Sequence, residues 1–118
     1  MGKRILVAED EARISHLLKI YLERESFIVN VVDNGKDALD IALNEPCDLI
    51  ILDILMPGKD GFTVLKEVRK TQSTPVILLS AKGEAHDLQR GAELGADEYI
   101  LKPFSPKEVV EKIKTMLS

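Results

Sequence analysis

The stretch Leu49-Ile50-Ile51-Leu52-Asp53-Ile54-Leu55-Met56-Pro57-Gly58-Lys59-Asp60-Gly61 decides the fold. Its unbroken aliphatic run reads as a strand buried on both faces, closed by an acid. Met56-Pro57-Gly58 forces a tight turn, because Pro fixes φ and Gly tolerates positive φ. Asp60-Gly61 then opens a helix whose apolar stripe is Phe62, Leu65 and Val68. Strand, acid, turn and helix make one βα unit, with a carboxylate held at the carboxyl end of a buried strand.

The same unit recurs on either side. Short apolar runs fall at Ile5–Ala8, Phe27–Val32 and Val76–Leu79, with a weaker one at Tyr99–Leu101. Asn30 interrupts the second, which marks a more peripheral strand. Between the runs lie helical stripes: Ile14, Leu17, Leu18, Tyr21 and Leu22; Ala38, Leu39, Ala42 and Leu43; a weak one of Leu88, Ala92 and Leu94; and a clear one of Val109, Val110, Ile113, Met116 and Leu117. Asn34-Gly35 resembles a hairpin signal, but helical spacing follows it, so it reads as the start of a helix. Gly95 fits a position just past a helix, and Ser105-Pro106 fits an N-cap with Pro at the first helical residue. Five βα units imply an α/β fold: a doubly wound parallel sheet with right-handed crossovers and helices on both faces. Function then belongs at the carboxyl ends of the strands.

Composition narrows the function classes. The 118 residues, read as a single domain over 1–118, carry 16 Lys+Arg against 20 Asp+Glu, a net charge of −4. That balance argues against direct nucleic-acid binding. The lone Cys47 cannot form an internal disulfide and reads as a small, half-buried apolar residue in a reducing compartment. No apolar run approaches the roughly 18 residues of a membrane span, and the run after Met1-Gly2-Lys3-Arg4 is too short for a secretion signal. These features lead us to expect a soluble cytoplasmic chain without a membrane partner.

The strand ends gather one kind of chemistry. Glu9-Asp10-Glu11 follows the first run, Asp53 the third, Ser80 the fourth and Lys102-Pro103 the fifth. Close carboxylates repel by several kcal/mol per pair at about 4 Å in a partly buried site. The usual relief is a hard divalent cation, and Mg²⁺ suits oxygen ligands that leave waters for a phosphate to displace. Lys102 supplies a point charge for the same anion. Taken singly, each acid reads equally well as a solvated helix cap; it is the set that points to a site.

With these residues the chain resembles the CheY-like receiver domains of two-component response regulators. The resemblance runs from Lys3 to Leu117 and rests on Glu9-Asp10, Asp53 with Met56-Pro57-Gly58 and Asp60-Gly61, Ser80-Ala81, Gly95-Ala96-Asp97, and Tyr99 through Lys102-Pro103-Phe104. Its finer pattern is most similar to receivers of winged-helix transcription regulators. It implies the flavodoxin-like strand order 2-1-3-4-5. It implies that Asp53 is the phosphoacceptor, taking a phosphoryl group from the phosphohistidine of a histidine kinase or phosphotransfer protein. It implies that Glu9 (through water), Asp10, Asp53 and the backbone carbonyl of Leu55 hold Mg²⁺, with Mn²⁺ an alternative. Lys102 then neutralises the transferring phosphoryl, and Lys102–Pro103 is a cis peptide. Ser80 and Tyr99 form the switch pair, and Leu55 and Lys82 tune loss of the phosphoryl group.

The resemblance also implies that the output surface is the face of the fourth helix, fifth strand and fifth helix, acting on an effector domain or downstream protein. Such receivers also pair through this face after phosphorylation, and Glu98, Glu108 and Lys112 are available for cross-subunit ion pairs. Against that, Leu88 stands where the subfamily usually has Arg, and Ser80 replaces the commoner Thr. His16 and His86 read as surface residues. The chain has the size of one receiver without room for an effector, and reads as a stand-alone receiver or a piece of a longer regulator. The resemblance implies a self-phosphorylating acceptor with slow autophosphatase activity rather than a conventional enzyme. The alternatives are a haloacid-dehalogenase-like phosphohydrolase, for which Leu55 stands where a second Asp belongs, a flavodoxin-like FMN binder, for which Glu9-Asp10-Glu11 repels phosphate, and a docking receiver that is never phosphorylated.

Overall fold

A computed structural model describes residues 2–81 and 85–118. The described residues form five strands and five helices in strict alternation: β1 Arg4–Ala8, α1 Ala12–Arg24, β2 Ile28–Val32, α2 Gly35–Asn44, β3 Leu49–Asp53, α3 Gly61–Arg69, β4 Val76–Ala81, α4 Ala85–Glu93, β5 Glu98–Lys102 and α5 Pro106–Leu117. All pairings are parallel and the order is β2-β1-β3-β4-β5. The aliphatic runs of β1, β3 and β4 occupy the three central places, because only there are both faces of a strand covered. The edge strand β2 exposes Ile28, Asn30 and Val31.

Alternation along the strands divides the core into two layers. Leu6, Ile50, Leu52 and Leu78 pack under Ala38 and Ala42 of α2 and Phe62, Leu65 and Val68 of α3. Ile5, Val7, Leu49, Ile51, Ile77, Leu79 and Ile100 pack under Leu18 and Leu22 of α1 and Val109, Val110 and Ile113 of α5.

Local signals set the helix ends. Asn34 Oδ1 accepts from the Asp37 N–H at 2.8 Å, Asp60 Oδ1 from the Thr63 N–H at 2.8 Å, and Ser105 Oγ from the Glu108 N–H at 3.2 Å. Asn34-Gly35 thus starts a helix, and Ser105-Pro106 caps one. Gly58 and Gly95 take φ of 78° and 100°, the left-handed region their turns require.

Three stripes need correction. Leu17 and Leu43 are exposed, since a short helix lying on a sheet buries a narrower arc than the stripes claim. In α4, Ala92 is exposed, Leu88 is half-buried, and the buried residue is Gly91. A Cβ on Gly91 would stand 2.5 Å from Leu78 Cδ1, so α4 rests on β4 through bare backbone.

Candidate phosphoacceptor and metal site

Strand parity gathers the site. Glu9 continues the phase of Ile5 and Val7, Asp53 that of Leu49 and Ile51, and Lys102 that of Ile100, all in the layer under α1 and α5. The Glu9 N–H extends the β1 ladder by donating to Val32 O at 3.0 Å, which carries its side chain into the sheet edge. Carboxylate oxygens of Glu9, Asp10 and Asp53 lie within 4.8 Å of one another. Glu9 and Asp53 are buried and Asp10 is exposed, so the cluster opens to solvent on one side.

Lys102 bridges the two buried acids. Its Nζ lies 3.0 Å from Asp53 Oδ2, as a hydrogen bond, and 2.8 Å from Glu9 Oε1, as an ion pair outside hydrogen-bond geometry. Glu9 Oε2 accepts from the Glu11 N–H at 3.0 Å, and Asp53 Oδ1 from the Leu55 N–H at 3.3 Å. Burial pushes the Glu9 carboxyl above the ordinary carboxylate value; Lys102 and the Glu11 N–H oppose this, while Asp53 adds to it. Burial also works against the charge on Lys102, but Glu9 and Asp53 outweigh it and hold its pKa above that of an ordinary lysine. One ammonium thus balances an excess of carboxylates. The donor set is all hard oxygen, partly buried and open on one side, which fits Mg²⁺.

The cleft over this cluster holds about 440 Å³ and is lined by Asp10, Asp53, Leu55, Ala81, Asp87 and Lys102 among others. Leu55 is 72% exposed at its rim. The Lys102–Pro103 peptide is cis. Lys82 lies outside the described residues.

Ser80 and Tyr99 sit on the other face. Ser80 shares the phase of Leu78, and in the β4–β5 register Leu78 pairs with Tyr99 and Ser80 with Leu101. Ser80 is buried, and its hydroxyl donates to Ala81 O at 3.3 Å rather than to a carboxylate. Tyr99 is 43% exposed beside a cavity of about 130 Å³ that is also lined by Leu78, Leu88, Gly91 and Ala96. Lys112 Nζ lies 3.6 Å from Glu98 Oε1 within the chain. His16 and His86 are exposed. Cys47 is half-buried, and burial pushes its thiol upward.

Sequence reading missed a latch at Asp97. Asp97 Oδ2 accepts from the Val76 N–H at 2.9 Å and from Arg69 Nη2 at 2.8 Å, while Arg69 Nε donates to Gly95 O at 2.9 Å. The sequence signal was the Gly95-Ala96-Asp97 motif directly before β5 and an arginine closing α3, neither of which shows that the two meet.

Comparison with known proteins agrees with this architecture. Residues 5–114 match the response regulator receiver domain family. The chain is 48% identical over 114 residues to the transcriptional regulatory protein ResD of Bacillus subtilis, covering 97% of this chain and 48% of ResD. It is 46% identical over 117 residues to the transcriptional regulatory protein SrrA of Staphylococcus aureus, covering 99% of this chain and 48% of SrrA. The chain therefore spans about half the length of these relatives. Among solved structures, a CheY-like response regulator receiver domain protein of Methanospirillum hungatei superimposes with a TM-score of 0.94 at 30% identity, covering 99% of this chain and 94% of that one. The receiver domain of the Francisella response regulator 1452 gives 0.92 at 33% identity, covering 98% and 97%. Receivers bind Mg²⁺ in an acidic pocket and interact with histidine kinases. The chain belongs to the response regulator receiver domains of two-component signalling.

Proposed function

We propose that Asp53 is the phosphoacceptor of this receiver. An Asp53 carboxylate oxygen attacks the phosphorus of a phosphoimidazole on a histidine kinase or phosphotransfer protein. An O–P bond forms, the P–N bond breaks, and the imidazole nitrogen leaves with the electron pair and takes up a proton. The observation that carries this reading is Lys102 Nζ, 3.0 Å from Asp53 Oδ2 and 2.8 Å from Glu9 Oε1, beside the Asp10 carboxylate. Lys102 orients the Asp53 carboxylate and places a positive charge where the transferred oxygens gather. Asp10, Asp53 and the Leu55 carbonyl would hold Mg²⁺, or Mn²⁺ in its place, with Glu9 acting through water, and the ion would supply charge neutralisation for the phosphoryl group.

Ser80 and Tyr99 then carry the signal. The Ser80 hydroxyl trades its 3.3 Å bond to Ala81 O for a phosphate oxygen, and Tyr99 turns into the cavity under α4. Phosphate thereby biases a pre-existing two-state element and changes the α4–β5–α5 face. That face acts on an effector that controls transcription, as the names of ResD and SrrA indicate for those proteins. It also pairs two phosphorylated copies; Lys112 and Glu98 must exchange their intrachain contact for any cross-subunit one.

The test is labelling with acetyl phosphate and Mg²⁺, followed by mass spectrometry. Wild type gains one phosphoryl group on Asp53 and Asp53→Asn gains none. Absence of label in wild type, or its persistence in Asp53→Asn, overturns the reading.

A further inference from the structure

We propose that Gly35, at the start of α2, is a positioning residue for the metal and phosphoryl site, acting through the loop between β3 and α3. This inference rests on the reading of Asp53 and Leu55 above. The first-turn N–H groups of a helix have no partner inside the helix. Gly35 gives its N–H to Pro57 O at 3.1 Å, in the middle of the loop that follows Asp53. No side chain fits between the two segments. A Cβ on Gly35 would overlap the Lys59 carbonyl, standing 2.5 Å from its carbon and 2.8 Å from Lys59 Cβ.

Both ends of the loop are tied independently. Ile54 is buried and its N–H donates to Leu79 O at 3.2 Å, Gly61 N–H donates to Ile54 O at 2.8 Å, and the Leu55 N–H reaches Asp53 Oδ1 at 3.3 Å. Met56 is buried in the layer under α2 and α3, and Asp60 caps α3. Pro57 O, between them, is held by Gly35. Leu55 itself is exposed, so its own packing does not fix it. Gly35 therefore supplies the contact on the outer side of the loop. The clash a methyl group creates falls on the loop rather than on α2, because Ala38 and Ala42 anchor α2 in the core and Asn34 caps it. The Leu55 carbonyl then leaves the place that a small octahedral cation requires, since Mg²⁺ tolerates little error in ligand geometry, while Asp53 stays held in β3 opposite Leu79.

The experiment compares wild type, Gly35→Ala and Gly91→Ala by Mg²⁺ titration calorimetry, amide hydrogen exchange without metal, and labelling with acetyl phosphate. Gly91→Ala is the steric control, because its Cβ meets the end of the Leu78 side chain and not the loop. Gly35→Ala is expected to raise the Mg²⁺ Kd by about tenfold or more, the usual scale for removing a residue that orients ligands. It also speeds exchange at Leu55 and Lys59 in the metal-free protein. Gly91→Ala lowers stability but keeps the Mg²⁺ Kd within about twofold of wild type, below that scale. A folded Gly35→Ala protein with wild-type Mg²⁺ affinity and loop exchange overturns this proposal while leaving the Asp53 reading intact. Unlabelled wild type overturns the Asp53 reading itself. Should Gly35→Ala not fold, the Gly35 amide of wild type carries the test. It must be protected without metal and slow further with Mg²⁺; exchange at an unprotected rate overturns the proposal.

Discussion

Asp53 is a buried acid sharing a small volume with Glu9 and Asp10, and the Lys102 ammonium pairs with Glu9 and Asp53 but not with Asp10. Without metal, this excess of negative charge stores repulsion, worth up to about 4 kcal/mol for a pair at 4 Å and an effective dielectric near 20, and less here because Asp10 is exposed. Replacing Asp53 by Asn removes one charge and keeps the shape. Metal-free Asp53→Asn is therefore expected to be more stable than wild type, by about 1 kcal/mol, in urea denaturation. Equal or lower stability would show that Lys102 already balances the cluster. Leu55 offers a second test. It stands at the rim of the cleft and gives an incoming water nothing to hydrogen-bond. Leu55→Asn provides a polar amide there, and loss of the phosphoryl group after donor removal should become several-fold faster; an unchanged rate would exclude Leu55 as a shield.

At the scale of elements, the arrangement turns on strand phase. Glu9, Asp53 and Lys102 fall on one side of the sheet and Ser80 and Tyr99, the proposed switch pair, on the other, with Ser80 near the carboxyl end of β4 and Tyr99 near the start of β5. The Arg69–Asp97–Gly95 contacts tie the end of α3 to the turn between α4 and β5, and Asp97 also satisfies the first N–H of β4. Arg69→Ala should cost about 1–2 kcal/mol in urea denaturation, after allowance for the partial exposure of Asp97. Asp97→Ala should cost at least as much, because it also strips the Val76 N–H of its partner. If neither variant moves the midpoint, the latch contributes nothing to stability.

For the whole molecule, a metal held by the proposed site would couple its binding to folding, since the unfolded chain does not gather Glu9, Asp10 and Asp53. Mg²⁺ at about 100 times its Kd should stabilise wild type by roughly 2.7 kcal/mol and raise Tm by about 10 °C in a domain of this size. Asp53→Asn should show a smaller rise, and equal rises would place the ion elsewhere. The described residues include no helix long and apolar enough to cross a membrane. The two packed layers leave the carboxyl edge of the sheet as the meeting place of the functional side chains.

Much of this was legible in the residues themselves. Leu49–Leu52, with its unbroken aliphatic run, had to be a central strand, and Asp53 had to stand at its end. Asn34, Asp60 and Ser105 announced their helices, because capping is a local bond between a side chain and an N–H three residues on. What the sequence by itself determined is the order of elements and the chemistry carried to one edge of the sheet, since both follow from short-range periodicity. Only the tertiary structure decided that Lys102 bridges Glu9 and Asp53, that Leu17 and Leu43 face solvent, and that α4 rests on β4 through Gly91. It alone showed that Gly35 touches the loop after Asp53. These depend on how closely segments far apart in the chain approach, and close approach is set by packing in three dimensions, which a one-dimensional pattern does not record.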